Sequence, residues 1–219
     1  MPKAMAVYRK LLAHFGPQHW WPGDSPFEII VGAILTQQAS WRNVELAIAN
    51  LKKDKMLDAK KLASAKQEKI EALIRPSGYY RQKAVYLKAF CKYLVDEYDA
   101  DLDAFFCKAL GELRAELLEL PGIGPETADS ILLYAGNKLT FVVDAYTVRI
   151  CQRVPLIKSG KYNVVKKYFE KNVEPDVLVY NEFHALFVAL GKNYCKNKKP
   201  ECQKCPLAGL CEFSKMAAR

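Results

Sequence analysis

Apolar and polar positions along the chain repeat with helical rather than strand spacing. Ser25-Pro26-Phe27-Glu28 has the form of a capping box with proline at the first helical position. The run from Phe27 to Leu35 that follows is apolar on every side, which predicts a central helix buried all round. From Tyr79 to Tyr98, Tyr86, Leu87, Phe90, Cys91, Leu94 and Val95 share one helical face, with Lys83, Lys88 and Lys92 among the polar positions, so a long amphipathic helix is expected there. Breaks fall at Pro22-Gly23, Arg75-Pro76-Ser77-Gly78, Pro121-Gly122-Ile123-Gly124, Ser159-Gly160 and Glu174-Pro175. Between them the alternation of strands is almost absent, and Val142-Val143 is the one extended dipeptide near the middle. At a mean of about 11–12 residues per helix, the spacing predicts an all-α protein of roughly ten helices, without internal repeats.

Composition narrows this picture. With 219 residues, 51% hydrophobic and 26% charged, the chain can bury a core as one domain or two small ones, which excludes a disordered or low-complexity protein. No apolar run reaches the length of a bilayer span and the N-terminal Met-Pro-Lys-Ala-Met lacks a signal-peptide pattern, so no membrane partner and a cytoplasmic location are expected. The 33 Lys+Arg against 24 Asp+Glu leave a net charge of +9, which suits a polyanion such as nucleic acid without specifying any chemistry. More than half of that excess, a net +5, lies between Gly191 and Arg219.

Cysteine usage adds a candidate site. Of 7 cysteines, Cys91, Cys107 and Cys151 stand singly in apolar stretches and read as small buried hydrophobes. Cys195, Cys202, Cys205 and Cys211 crowd one short segment, which in a cytosolic chain points to a metal site rather than a disulfide frame.

Two further features carry chemistry. Leu113 to Leu120 and Pro125 to Tyr134 both read as helix, with Pro121-Gly122-Ile123-Gly124 a tight turn between them. Two glycines around one apolar residue let backbone N–H groups converge, and the second helix aims its positive end at the same point, as in a phosphate-binding turn. An ordinary helix–turn–helix connection accounts for the turn equally well. Asp144, in Phe141-Val142-Val143-Asp144-Ala145-Tyr146, sits where a helix starts and by itself reads as an N-cap.

Leu120-Pro121-Gly122-Ile123-Gly124-Pro125-Glu126-Thr127-Ala128-Asp129, followed by Val143-Asp144, resembles the helix-hairpin-helix and catalytic aspartate of the endonuclease III superfamily of DNA glycosylases. The cysteine spacing, with six, two and five residues between successive members, is similar to the [4Fe–4S] signature of endonuclease III. A six-residue first gap is atypical of zinc, so an iron–sulfur cluster on Cys195, Cys202, Cys205 and Cys211 is preferred and zinc kept as the alternative. Bifunctional members carry a lysine two residues after the last hairpin glycine, where this chain has Glu126. A carboxylate cannot form an imine with the sugar, so strand cleavage by the usual lyase route is not expected. Trp20-Trp21-Pro22, Leu35-Thr36-Gln37, the segment from Arg75 to Ala84 and the segment from Gly124 to Leu132 look like the 3-methyladenine DNA glycosylase III branch, here combined with the cluster cysteines.

The resemblance implies a six-helix domain over 22–133 containing the hairpin, and a discontinuous cluster domain of 1–21 and 134–219. A lesion would enter the cleft between them, with Asp144 facing Glu126. It implies a monomeric, monofunctional DNA glycosylase of base excision repair that acts on damaged double-stranded DNA, releasing alkylated purines such as 3-methyladenine. Asp144 would stabilise the sugar cation and orient or deprotonate water, while Glu126 either orients water or merely replaces the lysine. Trp20, Trp21 and Trp41 would hold the extruded base, although core packing is the simpler reading of tryptophans. Gln38 matches the position that fills the gap left by the flipped nucleotide, but glutamine at a helix end is otherwise plain surface. Gly122, Ile123, Gly124 and Thr127 of the hairpin, with Lys196, Lys198, Lys199 and Lys204 between the cysteines, would meet DNA phosphates; the bland reading of the lysines is a solvated tail. Competing readings are a mismatch or oxidised-base glycosylase with Glu126 as acid, a non-catalytic iron–sulfur DNA-binding protein and, weakest, a ferredoxin-like carrier.

Overall fold

The computed structural model describes residues 3–217, and among them there are helices and turns but no strand. The α-helices are α1 (Lys3–Phe15), α2 (Pro26–Leu35), α3 (Trp41–Lys53), α4 (Ala59–Ser64), α5 (Gln67–Ile74), α6 (Tyr80–Tyr98), α7 (Leu102–Cys107), α8 (Leu110–Glu119) and α9 (Pro125–Ser130). They are followed by α10 (Ala145–Arg153), α11 (Tyr162–Asn172), α12 (Val177–Asn193) and α13 (Glu212–Ala217). Thirteen helices replace the expected ten because α4, α7, α9 and α13 are only 6 residues long. Such helices are too short to persist alone and depend on tertiary contact, which periodicity does not report. Val142-Val143 is buried in a connecting segment and pairs with no strand among the described residues.

The chain divides into two compact units, Trp21–Lys138 and a second made of Met1–Trp20 with Leu139–Arg219. In the first, α2 is the central element. Ser25 accepts the Glu28 N–H as N-cap at 3.2 Å, and the Glu28 carboxylate reaches back to the Asp24 N–H at 3.1 Å, so the capping-box sequence does what its spacing predicts. Every residue from Ile30 to Leu35 is buried, and α2 packs against α3, α6, α9 and the turn after α9. At about 1.5–3 kcal/mol for each fully buried large aliphatic side chain, this packing rather than helix propensity holds α2 in place. Along α6, Leu87, Phe90, Cys91 and Leu94 face the core as expected. Lys83 does not follow its expected place among the solvated polar positions: it is 2% exposed. It stands one turn before Leu87 and therefore on the buried face.

α9 does not continue as an α-helix to Tyr134. It gives way to one π-helical turn, Ile131–Ala135, whose five residues are all buried. A wider turn of this kind re-aims side chains relative to the helix before it.

In the second unit, α12 packs against α1 and α10 around an aromatic core. Phe141 stacks on Phe169 at 4.3 Å and Phe183 on Phe187 at 4.6 Å between ring centroids. Cys151 is buried here and Cys91 in the other unit, but Cys107 is exposed at the last position of α7, contrary to its reading as a buried hydrophobe. No helix among the described residues is long and apolar enough to cross a membrane.

Candidate functional site

The hairpin is formed by α8, the turn Leu120–Gly124 and α9. Gly122 is the position that demands glycine: its φ is +75°, and an added Cβ would lie 2.2 Å from the Tyr86 ring. Gly124 carries no such demand, with φ −88° and open space around it. Ile123, expected to meet DNA, turns its side chain into the core, and its N–H donates to the Leu120 carbonyl at 3.1 Å. It therefore anchors the turn rather than extending from it. The buried Thr127 hydroxyl and the Gly122 carbonyl both accept from Gln37 Nε2, at 3.1 and 2.8 Å. Glu126 is exposed. The two arms are braced by Arg114 of α8, whose Nε and Nη2 bind the fully buried Asp129 carboxylate of α9 at 2.9 and 3.1 Å.

Gln37 also opens a chain of ties to other segments of the same unit. Its neighbour Gln38 is exposed with φ +51° in the loop after α2. Tyr79, at the start of α6, has φ +45° and is 68% exposed, and the Arg75 and Arg81 guanidinium groups lie 5.8 and 5.9 Å from the adjacent Tyr80 ring. Beneath both loops runs Lys83, whose Nζ donates to the Leu35 carbonyl at 2.8 Å and to the Ser77 carbonyl at 2.7 Å. Burial lowers its pKa to about 8. One lysine thus closes the C-terminal end of α2 and the turn before α6, fixing where Gln38 and Tyr79 emerge. Neither Lys83 nor Tyr79 was among the sequence candidates. The signals that could have found them are the apolar neighbours of Lys83 one and two turns along, and a solvent-facing aromatic beside Gly78.

The tryptophans separate. Trp21 packs edge-on to Trp41 at 5.4 Å and tilted against Tyr134 at 5.3 Å. It also lies over Gly32 of α2, whose Cβ would approach the indole nitrogen to 3.1 Å. Tyr134, supplied by the π-helical turn, is a member of this aromatic group that the sequence did not reveal. Trp20 belongs to the other unit, where Lys192 Nζ sits 5.7 Å from its ring.

Asp144 is the N-cap of α10. Its Oδ1 accepts the Thr147 N–H at 2.6 Å and the Thr147 hydroxyl at 2.8 Å, and its Oδ2 lies 3.6 Å from His184 Nε2 of α12. Burial opposes ionisation, but His184 and the two Thr147 donors outweigh it and hold the carboxyl below the usual aspartate range. Capping and chemistry are thus not exclusive: the cap is itself a buried, ionised carboxylate.

Cys195, Cys202, Cys205 and Cys211 line one small pocket, together with Arg153, Tyr194, Pro200, Phe213 and Ser214. No three Cys, His, Asp or Glu side chains among the described residues converge on a point that could hold a single ion. Burial pushes the Cys205 thiol up to about 11 and raises that of Cys211 as well. The segment is gripped from α10: Arg149 donates to the Cys195 carbonyl at 2.9 Å, and Arg153 donates to the Lys196 and Asn197 carbonyls at 2.8 and 3.2 Å and lies over the Phe213 ring. Lys198, Lys199 and Lys204 are exposed, whereas Lys196 is paired with Glu201 at 2.5 Å.

The HhH-GPD superfamily base excision DNA repair protein model matches residues 31–175, which span the hairpin and Asp144. The chain belongs to this superfamily, and is a DNA glycosylase of base excision repair. It is 45% identical over 207 residues to a candidate DNA repair glycosylase of Methanocaldococcus jannaschii, with 94% of each chain covered. A crystal structure of the 3-methyladenine DNA glycosylase of H. pylori, bound to 1,N6-ethenoadenine, is similar with a TM-score of 0.77 and 29% identity, over 86% of this chain and 97% of that one. A non-covalent endonuclease III–DNA complex shares the fold, with a TM-score of 0.84 at 24% identity over the whole of both chains.

Proposed function

We propose that this glycosylase is monofunctional and removes alkylated purines, such as 3-methyladenine, from double-stranded DNA as a monomer carrying a [4Fe–4S] cluster. The observation that carries the reading is the buried Asp144 carboxylate, held by Thr147 and facing His184, in a chain that has Glu126 at the hairpin position of the lyase lysine. Alkylation at N3 or N7 makes the purine cationic, so it leaves without a strong general acid. As the bond between C1′ and the base nitrogen breaks, the base takes the electron pair and becomes neutral, and positive charge develops on the sugar. The Asp144 carboxylate stabilises that charge and accepts a proton from the water whose oxygen bonds to C1′. No amine stands at residue 126 to capture the sugar, so the backbone is left intact.

Aromatic faces at Trp21, Trp41 and Tyr134 suit a cationic purine, each desolvated contact contributing about 1–2 kcal/mol. The H. pylori relative, whose bound ligand is an adducted adenine, supports the same substrate class. Gln38 and Tyr79 stand where rigid loops project them and would occupy the space of an extruded nucleotide, while Gly122, Gly124 and the exposed Lys198, Lys199 and Lys204 would meet phosphates. Cys195, Cys202, Cys205 and Cys211 would hold the cluster, which supplies the shape of the basic segment rather than redox chemistry. The location that suits this reading is cytoplasmic, and nucleoid-associated in a prokaryote.

Incubation with methylated duplex DNA, scoring released bases and strand breaks separately, tests the reading. Base release without nicking is expected, and release falls at least 100-fold in Asp144→Asn with duplex affinity retained. Nicking by the wild type, or full release by the variant, contradicts it.

A further inference from the structure

Asp144 is enclosed more completely than an exposed helix cap requires, and the group that encloses it comes from another helix. His184 stands on α12 in register with the buried Tyr180, Phe187 and Gly191, on an element that packs against α10. Its Nε2 faces Asp144 Oδ2 at 3.6 Å, with side-chain exposures of 6% and 11%. The other carboxylate oxygen is already committed to the Thr147 amide and hydroxyl. A leucine would fill an apolar helix face as well as an imidazole does, so an ionisable ring buried among Phe183, Leu186 and Phe187 calls for a polar reason. The oxygen it faces supplies that reason.

We infer that His184 is a positioning residue of the base-release reaction, orienting Asp144 Oδ2. The inference rests on Asp144 being the reacting carboxylate. With Oδ1 fixed by Thr147 and Oδ2 by His184, the carboxylate has one orientation before DNA arrives. An imidazolium stabilises the anion by charge, and a neutral ring bearing its proton on Nε2 does so by its dipole.

The surroundings leave few competing groups. From α10 itself the Cys151 thiol faces Asp144, and burial and that carboxylate keep the thiol protonated. From α11 comes Tyr168, whose hydroxyl is likewise held protonated by burial. From α1, Tyr8 is raised by burial and by Glu182 and Asp176. Glu182 itself accepts the Gln18 N–H at 2.8 Å, Arg149 is turned to Tyr146 and Cys195, and Lys192 to Trp20. On the α13 side of α10, Glu212 lines a cavity with Arg149 and Arg153. The ionisable side chain from another helix that stands nearest the free Asp144 oxygen is therefore His184.

The test compares single-turnover base release from methylated duplex DNA between pH 5 and 9 for the wild type, His184→Gln, His184→Leu and Asp144→Asn. Removing the charge partner should move the acid limb of the His184→Gln profile upward by about one pH unit, with the rate near pH 8 held within about threefold. His184→Leu should lose release by about tenfold or more across the range, while duplex affinity and melting temperature of His184→Gln stay at wild-type values. A carboxyl carbon NMR titration of Asp144 gives a second readout that needs no turnover, its midpoint rising in His184→Gln. Superimposable profiles, or an unmoved midpoint, overturn the role of His184. Wild-type release by Asp144→Asn overturns instead the reading of Asp144 itself, whatever the histidine variants do.

Discussion

The two compact units bury helices of similar length but secure their functional segments differently. In Trp21–Lys138 the projecting loops are tied from inside by the chain's own polar side chains: Lys83 to two carbonyls, Gln37 to the hairpin, Arg114 to Asp129. In the other unit the interior is stacked phenylalanine, and the segment from Tyr194 to Phe213 curls around four thiols and a cavity. Two α10 arginines grip it from outside, and His14 of α1 meets the Tyr194 hydroxyl at 3.1 Å. The difference teaches that the first unit is tied by its own side chains, whereas the last part of the second would be completed by the proposed cluster on its cysteines. Buried polar ties fix geometry at a cost in desolvation; a ligand-organised loop fixes geometry only while its ligand is present.

The largest effect that would break this contrast is removal of one thiol. Cys205→Ser, or loss of the proposed cluster by chelation and oxidation, should unravel the segment beyond Lys192, with tryptic cleavage there accelerated and duplex affinity lowered about tenfold or more. Amide protection within Trp21–Lys138 should be unchanged, as read by hydrogen exchange. Equal loss of protection in both units would show that the first is not self-sufficient.

Lys83→Met sharpens the contrast from the other side. It leaves the Leu35 and Ser77 carbonyls buried without their donor, and should destabilise Trp21–Lys138 by about 2 kcal/mol in urea unfolding. Release of Gln38 and Tyr79 from their fixed positions should weaken duplex binding, while cysteine-segment proteolysis stays as in the wild type.

The smallest effect is a pH dependence confined to the first unit. Glu116 accepts from Tyr93 and Tyr98 at 2.5 and 2.7 Å and pairs with Lys108 at 2.6 Å, and these partners, Lys108 foremost, lower its pKa to about 2. A folded-state pKa below the unfolded value means that the contribution is fully present above pH ~4.5 and fades as pH falls toward about 2. Glu116→Gln should therefore narrow the difference between melting temperatures at pH 6 and pH 3. Solvent access to the Lys108 and Glu116 side chains keeps the shift modest.

Much of this was legible along the chain. The capping box at Ser25, the all-round apolar helix and the Asp144 cap depend on residues within a turn of each other, and local spacing reports them faithfully. The hairpin was legible as a turn, but not which of its glycines is obligatory, because that depends on Tyr86, 36 positions away, occupying the space where a Cβ would go. Lys83, Tyr134 and His184 were missed for a common reason: each is defined by a partner on another helix. A lysine among apolar neighbours reads as solvated until a carbonyl from α2 closes over it. A tyrosine in an apolar run reads as core until a π-helical turn brings it to Trp21.

The sequence alone determined the helical class, the separation of a hairpin from a cysteine-bearing end, and the replacement of an amine by Glu126, because each is a matter of residue type and short-range order. Only the tertiary structure decided that Asp144 is held between Thr147 and His184, that one buried lysine sets two loops, and that Trp21 is joined by Tyr134. Those arrangements come from distances between side chains far apart in the chain, and burial gives them their energetic weight: it raises the cost of any polar group whose partner is missing.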